Sequence, residues 1–167
     1  EEMGVRESVI NEFLNNPAYS PRHKTILVQA LVEMQGVKGR AQYIKQALCA
    51  AYEEEAFLYQ RMAEMLYGYH THVKPIKELV PVRKFAVGYT SDQTVVATFP
   101  IDLLYWTELS DLGSAALAKL DLSGRPVKKT ELWFTGSLTP KAMQELSARG
   151  LEIKERAGEI LMPAEEQ

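Results

Sequence analysis

The stretch ELWFTGSLTPKAMQELSARGLEIK, residues 131–154, decides how this chain folds. Glu131–Thr135 carries Leu, Trp and Phe in succession, the composition of a strand. Gly136-Ser137 interrupts it. Thr139 then offers a capping hydroxyl and Pro140 suits a first helical position, where a missing N–H costs nothing. Gly150 closes the helix, and Leu151–Lys154 reads as a second strand. A strand–helix–strand of this kind predicts a right-handed crossover and parallel pairing.

Working back from this unit, RKFAVGYTSDQTVVATFPI holds two β-rich runs on either side of Thr90-Ser91-Asp92-Gln93, which predicts a hairpin. Asp102 is placed to cap a helix through Leu104, Leu109, Leu112, Ala116 and Leu120, ending before the loop Ser123-Gly124-Arg125-Pro126. Gly158–Met162 is expected to add an edge strand.

The first 75 residues change period. Val5, Val9, Ile10 and Phe13 form a helical stripe that stops in Asn15-Asn16-Pro17. Ser20-Pro21 opens a second helix, with Leu27, Ala30, Leu31 and Met34 inward, and Gly36 ends it. A third follows Gly39, with Ala41, Ile44 and Leu48 inward, and a fourth runs from about Glu53 to Val73. A continuous third-and-fourth rod of about 34 residues would reach about 50 Å. A break near Ala50–Tyr52 is therefore expected, which sets Glu53-Glu54-Glu55 at a helix start, where the macrodipole favours negative charge. The fold class that follows is α+β. A helical subdomain over residues 1–75, a bundle of three to four helices, precedes an α/β subdomain over residues 76–167. The latter is a small mixed sheet with a β-hairpin and the strand–helix–strand. The boundary falls in the Pro-containing segment Lys74–Pro81, too short to be a floppy linker, so the two are expected to pack as one compact domain.

Composition narrows the function classes. The net charge of −3 predicts no general attraction to nucleic acid or anionic membrane. Residues 1–75 carry 8 Lys and Arg against 9 Asp and Glu, so neither half is a charged tail. One cysteine, Cys49, excludes an internal disulfide and any multi-cysteine metal site, and its apolar neighbours predict a small buried residue. No apolar run approaches the roughly 20 residues of a spanning helix, so no membrane insertion is expected. The Glu-Glu start allows a processed protein or an excised module, in the cytoplasm or exported.

Four places hold side chains able to do chemistry or bind. His70 and His72 are two of the three histidines. Two residues apart on a helix they point about 200° from each other and cannot share a metal, so they read as cations at a helix C-terminus and no metal or cofactor is expected. The loop Gly136, Ser137 and Thr139 leads from a strand to a helix N-terminus, where free N–H groups can take a phosphate or carboxylate, although no P-loop or GxGxxG surrounds it. Residues 21–48 have the outline of a helix-turn-helix, with Arg40, Gln42, Lys45 and Gln46 available to DNA. The acidic balance of the whole chain argues against nucleic acid as a partner. Tyr59, Met62, Tyr67 and Tyr69 give the fourth helix more large amphipathic side chains than one buried stripe uses, and such residues are enriched at interfaces.

Little standard catalytic equipment is visible. The expected function is a non-catalytic protein-interaction or scaffold domain, with a protein partner or self-association, as a module of a larger or processed protein. An anionic-ligand-binding domain or enzyme using Gly136–Thr139 is the alternative, and DNA binding by the 21–48 hairpin a weaker one.

Overall fold

The computed structural model describes residues 3–163, and its fold is α+β. Four helices come first: α1 (Glu7–Asn15), α2 (Pro21–Glu33), α3 (Arg40–Ala47) and α4 (Glu53–His72). The expected cap and break are both present. The Ser20 hydroxyl accepts from the His23 N–H, the His23 ring accepts in return from the Ser20 N–H, and Pro21 opens α2. The break before α4 leaves all three glutamates in its first turn. The termini of the two expected subdomains, residues 1–2 and 164–167, lie outside the described residues.

The sheet has five strands in the order β1 (Ile76–Val82), β2 (Phe85–Thr90), β3 (Thr94–Phe99), β5 (Lys129–Phe134), β7 (Glu152–Lys154). β1, β2 and β3 are antiparallel neighbours, and β3–β5 and β5–β7 are parallel, which makes the sheet mixed. The β2–β3 hairpin turns where the sequence places it. Gln93 takes the left-handed conformation (φ 67°), and the Asp92 carboxylate accepts from the Thr90 and Thr94 hydroxyls. The strand–helix–strand also forms as read, with α6 (Pro140–Ala148) capped by Thr139 between parallel β5 and β7.

Alternation along the strands sorts side chains onto two faces. Val96 and Trp133 meet the helices, joining a core with Leu31, Tyr43, Leu66 and Tyr69. Their neighbours Val95, Ala97, Leu132 and Phe134 meet Leu138, Ala142 and Leu146 on the other side. The first core runs from Phe13 of α1 through Ile76 and Leu79 into the sheet at Val96 and Trp133.

Two expected elements fail, each because of a partner distant in sequence. Asp102 does not cap a helix. Leu103–Leu104 is a short strand, β4, parallel to β6 (Ser137–Leu138), and α5 (Glu108–Ala118) starts at Thr107, whose hydroxyl accepts from the Ser110 N–H. The β4–β6 approach is so close that a Cβ at Gly136 would lie 1.9 Å from the Asp102 carbonyl oxygen. Gly158–Met162 is not an edge strand. Arg156 turns the chain through the left-handed region, the Ala157 N–H bonds the Phe134 carbonyl, and Gly158–Leu161 forms one helical turn, α7. Leu161 is buried there, against α4 at Gly68, where a Cβ would stand 1.7 Å from the Leu161 carbonyl oxygen. Most of the Lys74–Pro81 segment belongs to β1. Pro81 is tolerated because β1 lies at the sheet edge.

Candidate functional site

Two surfaces merit comparison, the loop at residues 136–139 and the outer face of α5. The loop lies just past β5 and holds β6 and the α6 cap, and its N–H groups are already in use. Gly136 donates to the Ile101 carbonyl, Ser137 to Asp102 and Thr139 to Leu104. The Leu138 N–H donates to the Glu155 carboxylate at 2.7 Å, so a side-chain anion of this chain holds the remaining place. The Thr139 hydroxyl is the helix cap, accepting from the Ala142 N–H, and the Ser137 hydroxyl accepts from the Arg156 guanidinium at 3.2 Å. What read as an open anion cradle is a strand pairing and a helix cap. Beside it, Trp133, Lys154, Arg156 and Ile160 contribute to a hollow of about 510 Å³.

The fourth helix is buried far more completely than one amphipathic stripe allows. Tyr59, Met62 and Tyr69 lie in the interior, and Tyr67 is partly covered. Each buried tyrosine has its polar end satisfied. The Tyr59 hydroxyl donates to the Lys84 carbonyl at 2.7 Å and so ties α4 to the β1–β2 turn. Burial pushes its pKa up to about 12. The Tyr69 hydroxyl donates to the Glu131 carboxylate at 2.9 Å, and the Trp133 indole N–H donates to the same oxygen at 3.3 Å. Lys129 stands 3.6 Å from the other Glu131 oxygen. Burial first, and then the hydrogen bond to Glu131, raise the Tyr69 pKa well above that of a free phenol. This network joins α4 to the central parallel strands, with Tyr69, Glu131 and Trp133 buried and Lys129 reaching solvent.

Among the remaining sequence candidates, His70, Arg40 and Gln46 are put to structural use. The His70 Nδ1 accepts from the Ile76 N–H at 2.9 Å and fixes the exit of α4 into β1, while His72 is exposed. Burial holds the His70 pKa below its ordinary value. Among the described residues, no three metal-ligating side chains converge. In α3, Arg40 donates to the Leu31 and Val37 carbonyls, and Gln46 is buried with its amide on the Arg83 and Phe85 carbonyls. Two of the four side chains available to DNA in the hairpin are thus holding the fold. Cys49 is exposed, a correction to its expected burial, because it lies just past the end of α3.

The outer face of α5 is the surface that the sequence reading missed. Leu109, Leu112 and Ala116 lie on the expected helix, and Leu109 is 80% and Leu112 63% exposed, with Ala116 exposed too. Ser114 is the only buried residue of the helix. Leu117 and Leu120, on the inner side, pack partly against the second core. Polar contacts hold the helix in place. Arg149, at the C-terminal end of α6, pairs with Asp111 and with Glu145, and lies 4.8 Å over the Trp106 ring. Tyr105, 62% exposed, continues the apolar surface before the cap. The sequence signal for this arrangement is the Thr107-x-x-Ser110 cap, which shortens the helix and leaves Leu104 to the strand.

No family model matches this chain, and no curated protein and no solved structure matches it. Among the described residues, no helix is long and apolar enough to cross a membrane.

Proposed function

We propose that this chain is a non-catalytic protein-interaction or scaffold domain that engages its partner through the outer face of α5. The observation carrying this reading is the exposed line Leu109, Leu112 and Ala116, extended by Tyr105. Single exposed apolar residues are ordinary, but a contiguous set at helical spacing is what a partner covers. A helix of 11 residues is marginal on its own in water and is normally held by burying its apolar face. Here the two leucines nearest the cap face outward while charge pairs and a capping threonine hold the helix, so the apolar face is free for a second molecule.

The interaction reading also accounts for what the other candidates do. Tyr59 and Tyr69 of α4 belong to the interior, and the N–H groups at 136–139 are bonded within the chain. The test is a double variant, Leu109→Ser with Leu112→Ser, compared with the unmodified protein after gentle purification. The variant is expected to keep its circular dichroism and to lose the complexes that native mass spectrometry finds for the parent. Complexes that survive unchanged overturn the reading.

A further inference from the structure

We propose that the occupant of the α5 face is a second copy of this chain, its α5 lying antiparallel to the first. This inference rests on the interaction reading above and names its partner. Residues 109, 112, 116 and 119 fall at the three- and four-residue spacing of a seam between two helices. Three of them are Leu109, Leu112 and Ala116; the fourth is Lys119, exposed at the C-terminal end of the helix. Glu108, also exposed, stands beside Leu109 at the N-terminal end.

Size and charge choose the orientation. In an antiparallel seam Leu112 of one copy faces Ala116 of the other, large against small, twice by symmetry. Leu109 faces Lys119, whose aliphatic stem can cover the leucine while its ammonium reaches the neighbouring Glu108. A parallel arrangement would set Glu108 against Glu108 and Lys119 against Lys119. Asp111, the other acidic residue of α5, is held by Arg149 of its own chain and so does not disturb this pattern. Gly113 adds no side chain beside the seam, and the space where its Cβ would stand is empty, so the two backbones can approach. The arrangement is self-complementary about a two-fold axis and therefore closes as a dimer. The seam spans about three turns, which places the dimer among small, transient interfaces, so it forms at high concentration.

Sedimentation equilibrium of the full chain, from about 10 µM to about 1 mM, tests this in the concentration range of weak complexes. The parent's average mass is expected to rise towards the dimer with concentration. Leu112→Glu should hold it at the monomer, with circular dichroism unchanged, and Leu109→Ser should do the same more mildly. Glu108→Lys and Lys119→Glu should each weaken the dimer by about fivefold, since each removes two surface ion pairs. The two together should restore it. A parent that remains monomeric at the highest concentration overturns the proposal, as does a dimer that Leu112→Glu leaves intact. A dimer indifferent to both charge reversals overturns the antiparallel register. A monomeric parent whose other complexes are lost on Leu109→Ser with Leu112→Ser leaves the interaction reading standing and removes only the self-partner. A monomeric parent whose complexes survive that double variant removes both.

Discussion

Helices α4 and α5 look alike in sequence and end up in opposite surroundings. Each carries apolar residues at helical spacing together with acidic residues in its first turn. α4 is enclosed on most sides by α2, the sheet and α7, and it buries even the tyrosines that a single stripe cannot account for. α5 is fastened at its cap and through Arg149, and its leucines nearest the cap face outward. The difference teaches that an apolar face states a requirement for cover without naming the source. For α4 the cover is this chain itself. For α5 we propose that it is another molecule.

This contrast can be broken by substitution. Leu66→Ala in α4 is expected to cost about 2–5 kcal/mol, because a fully buried leucine leaves a cavity that its neighbours fill only in part; urea unfolding measures it. A loss below about 1 kcal/mol would mean that α4 is not the enclosed helix described here. Tyr69→Phe should cost about 1–3 kcal/mol in the same assay. It removes one donor to a buried carboxylate and leaves the Trp133 indole and Lys129 to hold it.

His70 sharpens the contrast at the end of α4. Its pKa is lowered in the folded chain, so the unfolded chain binds the proton more readily. Its contribution to stability is complete above the ordinary histidine pKa near 6.5 and is lost as pH falls through the lower folded value. Protonation also ends the ring's acceptance from Ile76. Unfolding free energies measured from pH 7.5 down to pH 5 should therefore decline, and His70→Gln should flatten that decline. An unchanged slope in the variant would assign the pH dependence elsewhere. The smallest expected effect belongs to α5. Leu112→Ala should change the stability of the monomer by no more than about 0.5 kcal/mol, because the side chain is already in water. A loss comparable to that of Leu66→Ala would show that the monomer itself covers this face.

Local chemistry made much of the fold legible. Ser20-Pro21 and Thr139-Pro140 start helices because hydroxyl caps and a proline without an N–H act over one turn. The run at 85–99 forms its hairpin because Thr90, Asp92 and Thr94 bond to one another across the turn. The misread elements depend on distant partners. Leu103–Leu104 is a strand because Ser137–Leu138 lies alongside it, and Gly158–Leu161 coils because Leu161 is buried at Gly68. The 136–139 loop has the residues of an anion site, but carbonyls at 101, 102 and 104 and the carboxylate of Glu155 take its N–H groups.

The sequence by itself determined the starts of α2 and α6, the turn at 90–93 and the strand–helix–strand at 131–154, since those preferences act within a few residues. Only the tertiary structure decided which apolar faces are covered. Burial depends on what arrives from elsewhere in the chain, and so Tyr69 is in the core while Leu109 and Leu112 are in solvent.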